Sequence, residues 1–159
     1  MELSHLDETG AARMVDISQK DTTERVAVAT SKLSMAPETL QVILTDQAKK
    51  GNVLAVARVA GIMAAKKTSE MIPLCHQIPI TNASIEFEAL NEQELLITAT
   101  IKTLGQTGVE MEALVAASLA ALTVYDMVKA IDRGMVICET CLLLKDGGKT
   151  GRFERFSKV

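Results

Sequence analysis

The chain has 159 residues, of which 48% are hydrophobic and 3% aromatic, and its formal net charge is -3. The apolar content excludes an intrinsically disordered chain and predicts a packed core of aliphatic side chains. The scarcity of aromatic residues and the net negative charge argue against a nucleic-acid-binding protein, whether it stacks bases or uses a general positive field.

The compartment is predicted from features that the sequence lacks. The first residues, MELSHLDETG, show no basic start followed by an apolar stretch, so no signal peptide is visible. The most apolar run, Ala113 to Val124, is shorter than the roughly 20 residues that a membrane helix requires. Three cysteines, an odd number, provide no disulfide framework. We therefore expect a cytoplasmic protein without a membrane partner.

The first half of the chain is predicted to contain a strand and two helices. Residues 1–15 are polar, and we expect them to form a flexible arm. Val and Thr alternate between Arg25 and Met35, which predicts a strand. A first-turn proline and helical spacing predict a helix from Pro37 to Gly51. A second helix, capped by Asn52 and extending to about Glu70, is predicted to bury Val53, Val56, Ala60, Met63 and Ala64.

The second half opens with a non-helical loop, Pro73–Pro79, followed by two strands. Apolar residues alternate with polar ones in Ser84–Leu90 and again in Leu95–Thr103, and the four residues between them suit a hairpin. The clearest helix is predicted from Thr107 to Asp132. It has a Thr-x-x-Glu capping box at its start, a mostly apolar middle, and Gly134 as its stop.

The end of the chain is predicted to form two more strands, Met135–Lys145 and Arg152–Phe156, joined by a glycine turn. The order of elements predicts an α+β protein with a ferredoxin-like β-α-β-β-α-β plan, an antiparallel sheet, an extra helix and a C-terminal hairpin. No internal repeat or linker is visible, so we expect one domain over residues 1–159.

Two short motifs suggest chemistry that their surroundings do not support. Cys138-x-x-Cys141 lies on a predicted strand, where residues three apart point to opposite faces, so we expect ordinary buried cysteines and no metal site. Gly148-Lys149-Thr150 is similar to the end of a phosphate-binding P-loop, but the motif's leading glycine is absent and no helix follows. A hairpin turn that carries a mobile Lys149 is the better interpretation.

Three side chains near the loop and the long helix are weighed for function. His76 lies in a loop between prolines that holds it at little entropic cost, although a lone histidine is more often structural. Glu110 is explained as the acid of the capping box. Glu112 has no such local role, which makes it the better functional candidate.

Asp126 and Lys129 lie three residues apart near the end of the long helix. An exposed ion pair is the default explanation. Charged groups beside a buried segment also have shifted pKa values that acid–base chemistry uses. The sequence leaves both interpretations of this pair open.

Several segments together resemble one family, the cyclic pyranopterin monophosphate synthases, also called molybdenum cofactor biosynthesis protein C. IPLCH and TGVEMEAL are the most specific segments, and the similarity extends from about residue 14 to residue 151. The segments are MVDIS at 14–18, KGNV at 50–53, ARVAGI at 57–62, IPLCH at 72–76, TGVEMEAL at 107–114, LTVYDM at 122–127, KA at 129–130 and GGKTG at 147–151.

The resemblance implies a lyase that acts on a GTP-derived substrate. Family members convert (8S)-3',8-cyclo-7,8-dihydroguanosine 5'-triphosphate to cyclic pyranopterin monophosphate by ring rearrangement and cyclic phosphate formation, and they release pyrophosphate. No redox step is needed, so no cofactor is expected. The resemblance also implies a homohexamer, built as a trimer of dimers, with active sites at subunit interfaces.

The resemblance further implies the site residues. Asp126 matches the active-site acid, and Lys50 and Lys129 match lysines that shuttle protons. For these lysines we expect pKa values lowered towards neutrality by burial or by neighbouring cations. Leu74, Cys75, His76, Met111 and Glu112 match substrate-binding loops, and Lys20, Arg25, Lys66 and Lys149 are positioned to hold the triphosphate.

Two other classes of protein stay open at this point. A nucleotide-binding regulator would use the same cations without needing Asp126. A structural subunit would need only the alanine-rich helix and would tolerate loss of Lys50 and Lys129. Pyrophosphate release from the cyclised nucleotide separates the enzyme from both.

Overall fold

The computed structural model describes residues 9–149 and 151–155, which form one five-stranded sheet and four helices. Most of the expected arm, Thr150 and the end of the last expected strand at Phe156 lie outside the described residues. The elements are β1 (Thr23–Ser34), α1 (Pro37–Leu44), α2 (Val53–Lys66), α3 (Thr68–Met71), β2 (Ile80–Ala89), β3 (Glu94–Gly105), α4 (Glu110–Val128), β4 (Val136–Asp146) and β5 (Phe153–Glu154).

The strands lie in the order β2-β3-β1-β4-β5, and every neighbouring pair is antiparallel. Strands consecutive in the chain are connected either by a hairpin or by a helical crossover that passes a neighbouring strand, with α1 and α2 between β1 and β2 and α4 between β3 and β4. This is the ferredoxin-like order, extended by the short β5 at the edge. The predicted α+β fold is confirmed.

The core lies between the sheet and α4, which packs on β1 and β3. Alternate residues of β3 are fully buried, as their spacing predicted: Leu95, Ile97, Ala99 and Ile101. Among the described residues, α4 is the one helix long and apolar enough to cross a membrane, and half of its most apolar window is buried within the fold. Its fully buried alanines are Ala113, Ala116, Ala117, Ala120 and Ala121.

The first two helices are shorter than predicted. α1 ends at Leu44, where the sequence predicted continuation to Gly51, and the chain then turns through Asp46 at a φ of 59°. α2 ends at Lys66, where Glu70 was predicted. The backbone leaves helical geometry at Lys67, which has a φ of −109°, and the buried Thr68 then begins the short α3, with its hydroxyl donating to the carbonyl oxygens of Ala64 and Ala65.

The buried face of α2 also differs from the predicted one. Val56 and Met63 are 44% and 53% exposed, so their predicted burial is wrong, and Ala57 and Gly61 face inward instead. At Gly61 an added Cβ would lie 3.0 Å from the carbonyl oxygen of Ala116 in α4. Small residues therefore form the contact between the two helices because only they permit this approach, and the larger apolar side chains face outward.

Both predicted ends of α4 need correction. The helix begins at Glu110 with Val109 as its N-cap and no side-chain cap, so the capping box is not formed. It ends at Val128, four residues before the predicted Asp132. Asp132 instead caps a different helix, because its carboxylate accepts from the backbone N–H of Ala36 at 2.9 Å, directly before α1.

A β-bulge in β4 changes the interpretation of its cysteines. Cys138 pairs with Lys32 and Cys141 pairs with Thr30, with a register shift between them and Glu139 at a φ of 50°. Because Lys32 and Thr30 are two residues apart, the two thiols lie on the same face of the sheet. The expectation that they point to opposite faces is wrong. No group of three or more metal-ligating side chains occurs in the described part of the chain.

Candidate active site

A carboxylate at the C-terminal end of α4 binds two lysines. Lys129 Nζ lies 2.7 Å from Asp126 Oδ1, and Lys50 Nζ lies 3.1 Å from Oδ2. Lys50 also donates to the main-chain carbonyl of Asp126 at 2.9 Å, one of the helix-end carbonyls without an intrahelical partner. Gly51, at a φ of 92°, turns the chain so that Lys50 reaches α4 directly before α2 begins.

The electrostatics of this cluster fix its protonation state in the single chain. Hydrogen bonds from Lys129 and then Lys50 lower the pKa of Asp126 below its ordinary value. The same contact with Asp126 raises the pKa of Lys129. The expectation of a lysine pKa lowered towards neutrality is therefore wrong for Lys129 in the single chain. At neutral pH the cluster holds a carboxylate and an ammonium that can donate a proton.

A two-lobed cleft lies near the opposite end of α4. Its first lobe, of about 470 Å³, carries four cationic side chains, and we call it the cation lobe. Its second lobe, of about 410 Å³, lies against residues 74–76, and we call it the loop lobe. Both lobes share the wall formed by Lys20, Thr107, Gly108 and Glu110. The cations of the first lobe are Lys20, Arg25, Lys145 and Lys149.

Arg25 is held in the cation lobe by backbone. Its Nε donates to the carbonyl oxygen of Gly105 at 2.9 Å. Its guanidinium lies against Gly148, which has a φ of 78°, and a Cβ at that position would overlap the guanidinium. Lys20 is placed by Gln106, whose side-chain amide donates to its carbonyl at 2.9 Å. These contacts hold the Arg25 guanidinium and the backbone of Lys20 before any ligand arrives, which lowers the ordering cost of binding an anion.

The loop lobe combines a histidine, a thiol and a buried acid. His76 Nε2 donates to the carbonyl of Val15 at 2.7 Å, since a carbonyl oxygen only accepts. Burial and then the nearby Glu112 raise the pKa of Cys75, so its thiol stays protonated. Glu112 is 3% exposed, and burial, with a smaller contribution from Glu110, raises its pKa to about 7. Glu112 can therefore gain or lose a proton near neutral pH.

The structure brings most of the expected site residues into two groups. The cleft collects Lys20, Arg25, Leu74, Cys75, His76, Met111, Glu112 and Lys149. The second group is Asp126 with its two lysines, roughly 20 Å along α4 from Glu112 at the ordinary helical rise. Lys66, the exposed last residue of α2, lines neither lobe. The expected site residues therefore form two separate groups in one chain, and we call these groups half-sites.

Sequence reasoning missed an ion pair of the cleft. Lys145 Nζ lies 3.0 Å from Glu110 Oε1, and both residues line the cation lobe. Glu110 was assigned to a helix cap that is not formed, and Lys145 was assigned only to the end of a strand. The signal available for Glu110 was its place in the segment TGVEMEAL, which also contains Met111 and Glu112.

Comparison with known proteins gives consistent matches over almost the entire chain. A family model described as the MoaC family matches residues 14–148. A Brevibacillus brevis protein named cyclic pyranopterin monophosphate synthase is 58% identical over 157 residues, which covers 99% of this chain and 98% of that protein. Proteins of the same name from Dinoroseobacter shibae and Thermomicrobium roseum are 58% and 56% identical, cover 96% and 97% of this chain, and match over 97% and 93% of their own lengths.

Proposed function

The chain belongs to the MoaC family, and from this membership and its two half-sites we propose that it is a cyclic pyranopterin monophosphate synthase of molybdenum cofactor biosynthesis. The proposed substrate is the cyclised dihydroguanosine triphosphate, and the proposed products are cyclic pyranopterin monophosphate and pyrophosphate. We place the enzyme in the cytoplasm, as a homohexamer built from three dimers.

The observation that carries this proposal is the separation of the half-sites. Glu112 and Asp126 lie roughly 20 Å apart on one rigid helix, which is too far for one small nucleotide to contact both. If a two-fold axis relates two copies with their α4 helices antiparallel, the Asp126 end of one copy lies beside the cleft of the other. Each dimer then contains two complete sites.

The outer face of the helical layer supports such a contact. Val59 and Met63 of α2 are 57% and 53% exposed, and Leu122 of α4 is 51% exposed. Lys50, directly before α2, contacts Asp126 near the end of α4, so the two helices are antiparallel and expose these side chains together between the half-sites. Exposed apolar side chains of this kind gain most from burial against a second copy.

The cation lobe suits the phosphate step of the proposed reaction. A hydroxyl oxygen of the substrate loses its proton and forms a bond to the α-phosphorus while the bond to the bridging oxygen breaks. The electron pair leaves with pyrophosphate, which can take up the proton. Negative charge grows on the leaving group as this bond breaks. Lys20, Arg25 and Lys149 can stabilise that charge with charge-assisted hydrogen bonds.

The second half-site suits the proton transfers of ring rearrangement. With Asp126 ionised and Lys129 protonated, Lys129 is the proposed acid that donates to a departing ring atom. Asp126 orients both ammonium groups, since each of its oxygens accepts from one lysine. In the assembled site, Glu112 of the partner subunit supplies a further acid–base group, and this one titrates near neutrality.

The proposal is tested by intersubunit complementation. Lys129→Ala and Glu112→Gln each disable a different half-site, and each variant alone is expected to lose activity. In a co-expressed mixture the heterodimer has one intact site, so pyrophosphate release should return to about a quarter of the wild-type rate. The matched control mixes Lys129→Ala with Asp126→Ala, which affects the same half-site twice and should restore nothing.

The same assay separates the enzyme from the other two classes of protein. A nucleotide-binding regulator would bind the cyclised nucleotide and release no pyrophosphate, and a structural subunit would do neither. Wild-type protein that releases no pyrophosphate contradicts the proposed activity. Heterodimers that form but stay inactive contradict sites shared between subunits.

A further inference from the structure

An ion pair lies in the cation lobe of the cleft, and its acid also lines the loop lobe. Glu110 Oε1 lies 3.0 Å from Lys145 Nζ, and each side chain is 28% exposed. Both residues line the cation lobe, and Glu110 also lines the loop lobe. If the ring of the substrate occupies the loop lobe, its phosphates must therefore lie close to this carboxylate.

The local structure shows that Glu110 is held in the cleft and is not needed as a cap. α4 begins at Glu110 itself, and its N-cap residue, Val109, makes no side-chain cap. The carboxylate folds back over Gly108, where an added Cβ would overlap it. A larger residue at position 108 would displace this carboxylate, so the glycine makes room for an anion beside the cations.

We propose that Glu110 is an internal competitor for Lys145 that weakens the hold of the cleft on pyrophosphate and so promotes release of this product. The inference rests on the proposed function and adds a release role to the same site. A bound polyanion has to take Lys145 from Glu110 and also lies close to the carboxylate. Both effects oppose binding, because like charges repel and the ion pair is lost.

The consequence differs for substrate and product. The substrate also binds through its ring in the loop lobe, whereas pyrophosphate has only the cations. The competing carboxylate removes a similar free energy of binding from both ligands. That loss is a larger fraction of the binding free energy of pyrophosphate, so the product dissociates more readily. Product release limits the turnover of many enzymes, so this balance acts directly on rate.

The test is direct titration of inorganic pyrophosphate into the assembled wild-type protein and variants. Glu110→Gln is expected to bind pyrophosphate about fivefold more tightly, and Lys145→Gln to bind it about fivefold more weakly. In the Lys145→Gln background, Glu110→Gln should have a clearly smaller effect on pyrophosphate affinity, because the ammonium group for which Glu110 and pyrophosphate compete is absent. Added pyrophosphate should also inhibit turnover of Glu110→Gln more strongly than turnover of the wild type.

Glu94→Gln is the matched control. It changes the same residue type in another lysine–glutamate pair, Lys32 with Glu94 at 2.8 Å, and neither residue lines the cleft. Its pyrophosphate affinity should equal that of the wild type. If Glu110→Gln does not fold, Gly108→Ala displaces the carboxylate without removing its charge and should also tighten binding.

Unchanged or weaker pyrophosphate binding by a folded Glu110→Gln or Gly108→Ala protein overturns the inference. An additive effect of the two substitutions at positions 110 and 145 overturns it as well. Because the titration needs no turnover, its result is independent of the proposed activity. A wild-type protein that makes no pyrophosphate would refute the proposed function alone.

Discussion

The two ends of α4 present the same functional group in opposite environments. Glu112, near the start, is 3% exposed, and burial raises its pKa to about 7. Asp126, near the end, has a side chain that is 56% exposed, and two ammonium groups lower its pKa. One helix therefore carries a carboxyl group that exchanges its proton near neutral pH and another that stays ionised.

The difference teaches that depth and neighbours set the role of an acid, and its residue type does not. Without a cation beside it, a buried carboxyl group favours its neutral form, whereas an exposed one between cations favours its charge. The proposed dimer would bring the two kinds of acid together on one substrate. Acid and base roles are commonly divided between two carboxyl groups in this way.

The largest expected effect comes from substitutions at the exposed end of α4. Lys129→Ala and Asp126→Ala should each lose at least about a hundredfold in turnover while still binding the cyclised nucleotide, because general acid–base groups act mainly in the transition state. The ion pair is exposed, so the melting temperature should change by only about 1–2 °C. Turnover and melting temperature measured on the same variants check both statements.

Glu154→Ala is the control for this prediction. It removes another exposed ion pair, Glu154 with Arg152 at 2.9 Å, which lies outside both half-sites. Turnover should stay at the wild-type level. Near-normal turnover in the Asp126 and Lys129 variants would leave their contact as an ordinary surface ion pair, as one interpretation of the sequence allowed.

The sheet could be predicted from the sequence because its signal is local. Apolar and polar residues alternate in β2 and β3, Val and Thr alternate in β1, and the predicted strands match β1 to β4 within a few residues. The start of α1 at Pro37 was predicted from a local signal, but the end of α4 and the buried face of α2 were not, because distant residues determine them. Asp132 does not extend α4, because its carboxylate accepts from the backbone N–H directly before α1. Gly61 packs against α4, so Val56 of α2 faces outward.

The site could be predicted only in part, and for similar reasons. The resemblance supplied residues one by one, and the predicted helix from Thr107 to Asp132 already implied that Glu112 and Asp126 lie roughly 20 Å apart in one chain, but no spacing indicated which other residues join each of them. The Glu110–Lys145 pair joins residues 35 positions apart in the sequence through the fold, and no local pattern encodes it. A one-residue bulge in β4 likewise reversed the predicted direction of one cysteine.

The next effect concerns the buried end of α4 and its dependence on pH. The native pKa of Glu112, about 7, lies above its ordinary value of 4.5, so between these values the folded state binds more protons than the unfolded state. Stability contributed by this group is therefore present below pH 4.5 and is lost as pH rises through 7. Glu112→Gln removes this loss and should be more stable than the wild type by about 2–3 kcal/mol at pH 8.

Denaturant unfolding at pH 5 and pH 8 checks this expectation. The free energies of unfolding of the wild type and Glu112→Gln should lie much closer together at pH 5 than at pH 8. Glu154→Gln, at an exposed site, should follow the wild type at both pH values. A Glu112→Gln protein that is less stable at pH 8 would show that Glu112 is ionised and stabilised there by a partner.

The smallest expected effect compares two lysines that the sequence placed in one group. Lys149 lines the cation lobe, whereas Lys66 is exposed at the end of α2 and lines neither lobe. Lys149→Ala should therefore weaken pyrophosphate binding about fivefold to tenfold, the effect of losing one charge-assisted contact in a partly open cleft. Lys66→Ala should leave pyrophosphate affinity unchanged if the cleft of one chain holds the phosphates alone. Equal losses of affinity in both variants would mean that Lys66 of the partner subunit reaches the cleft. The cations that bind the phosphates, like the acids, would then come from both subunits.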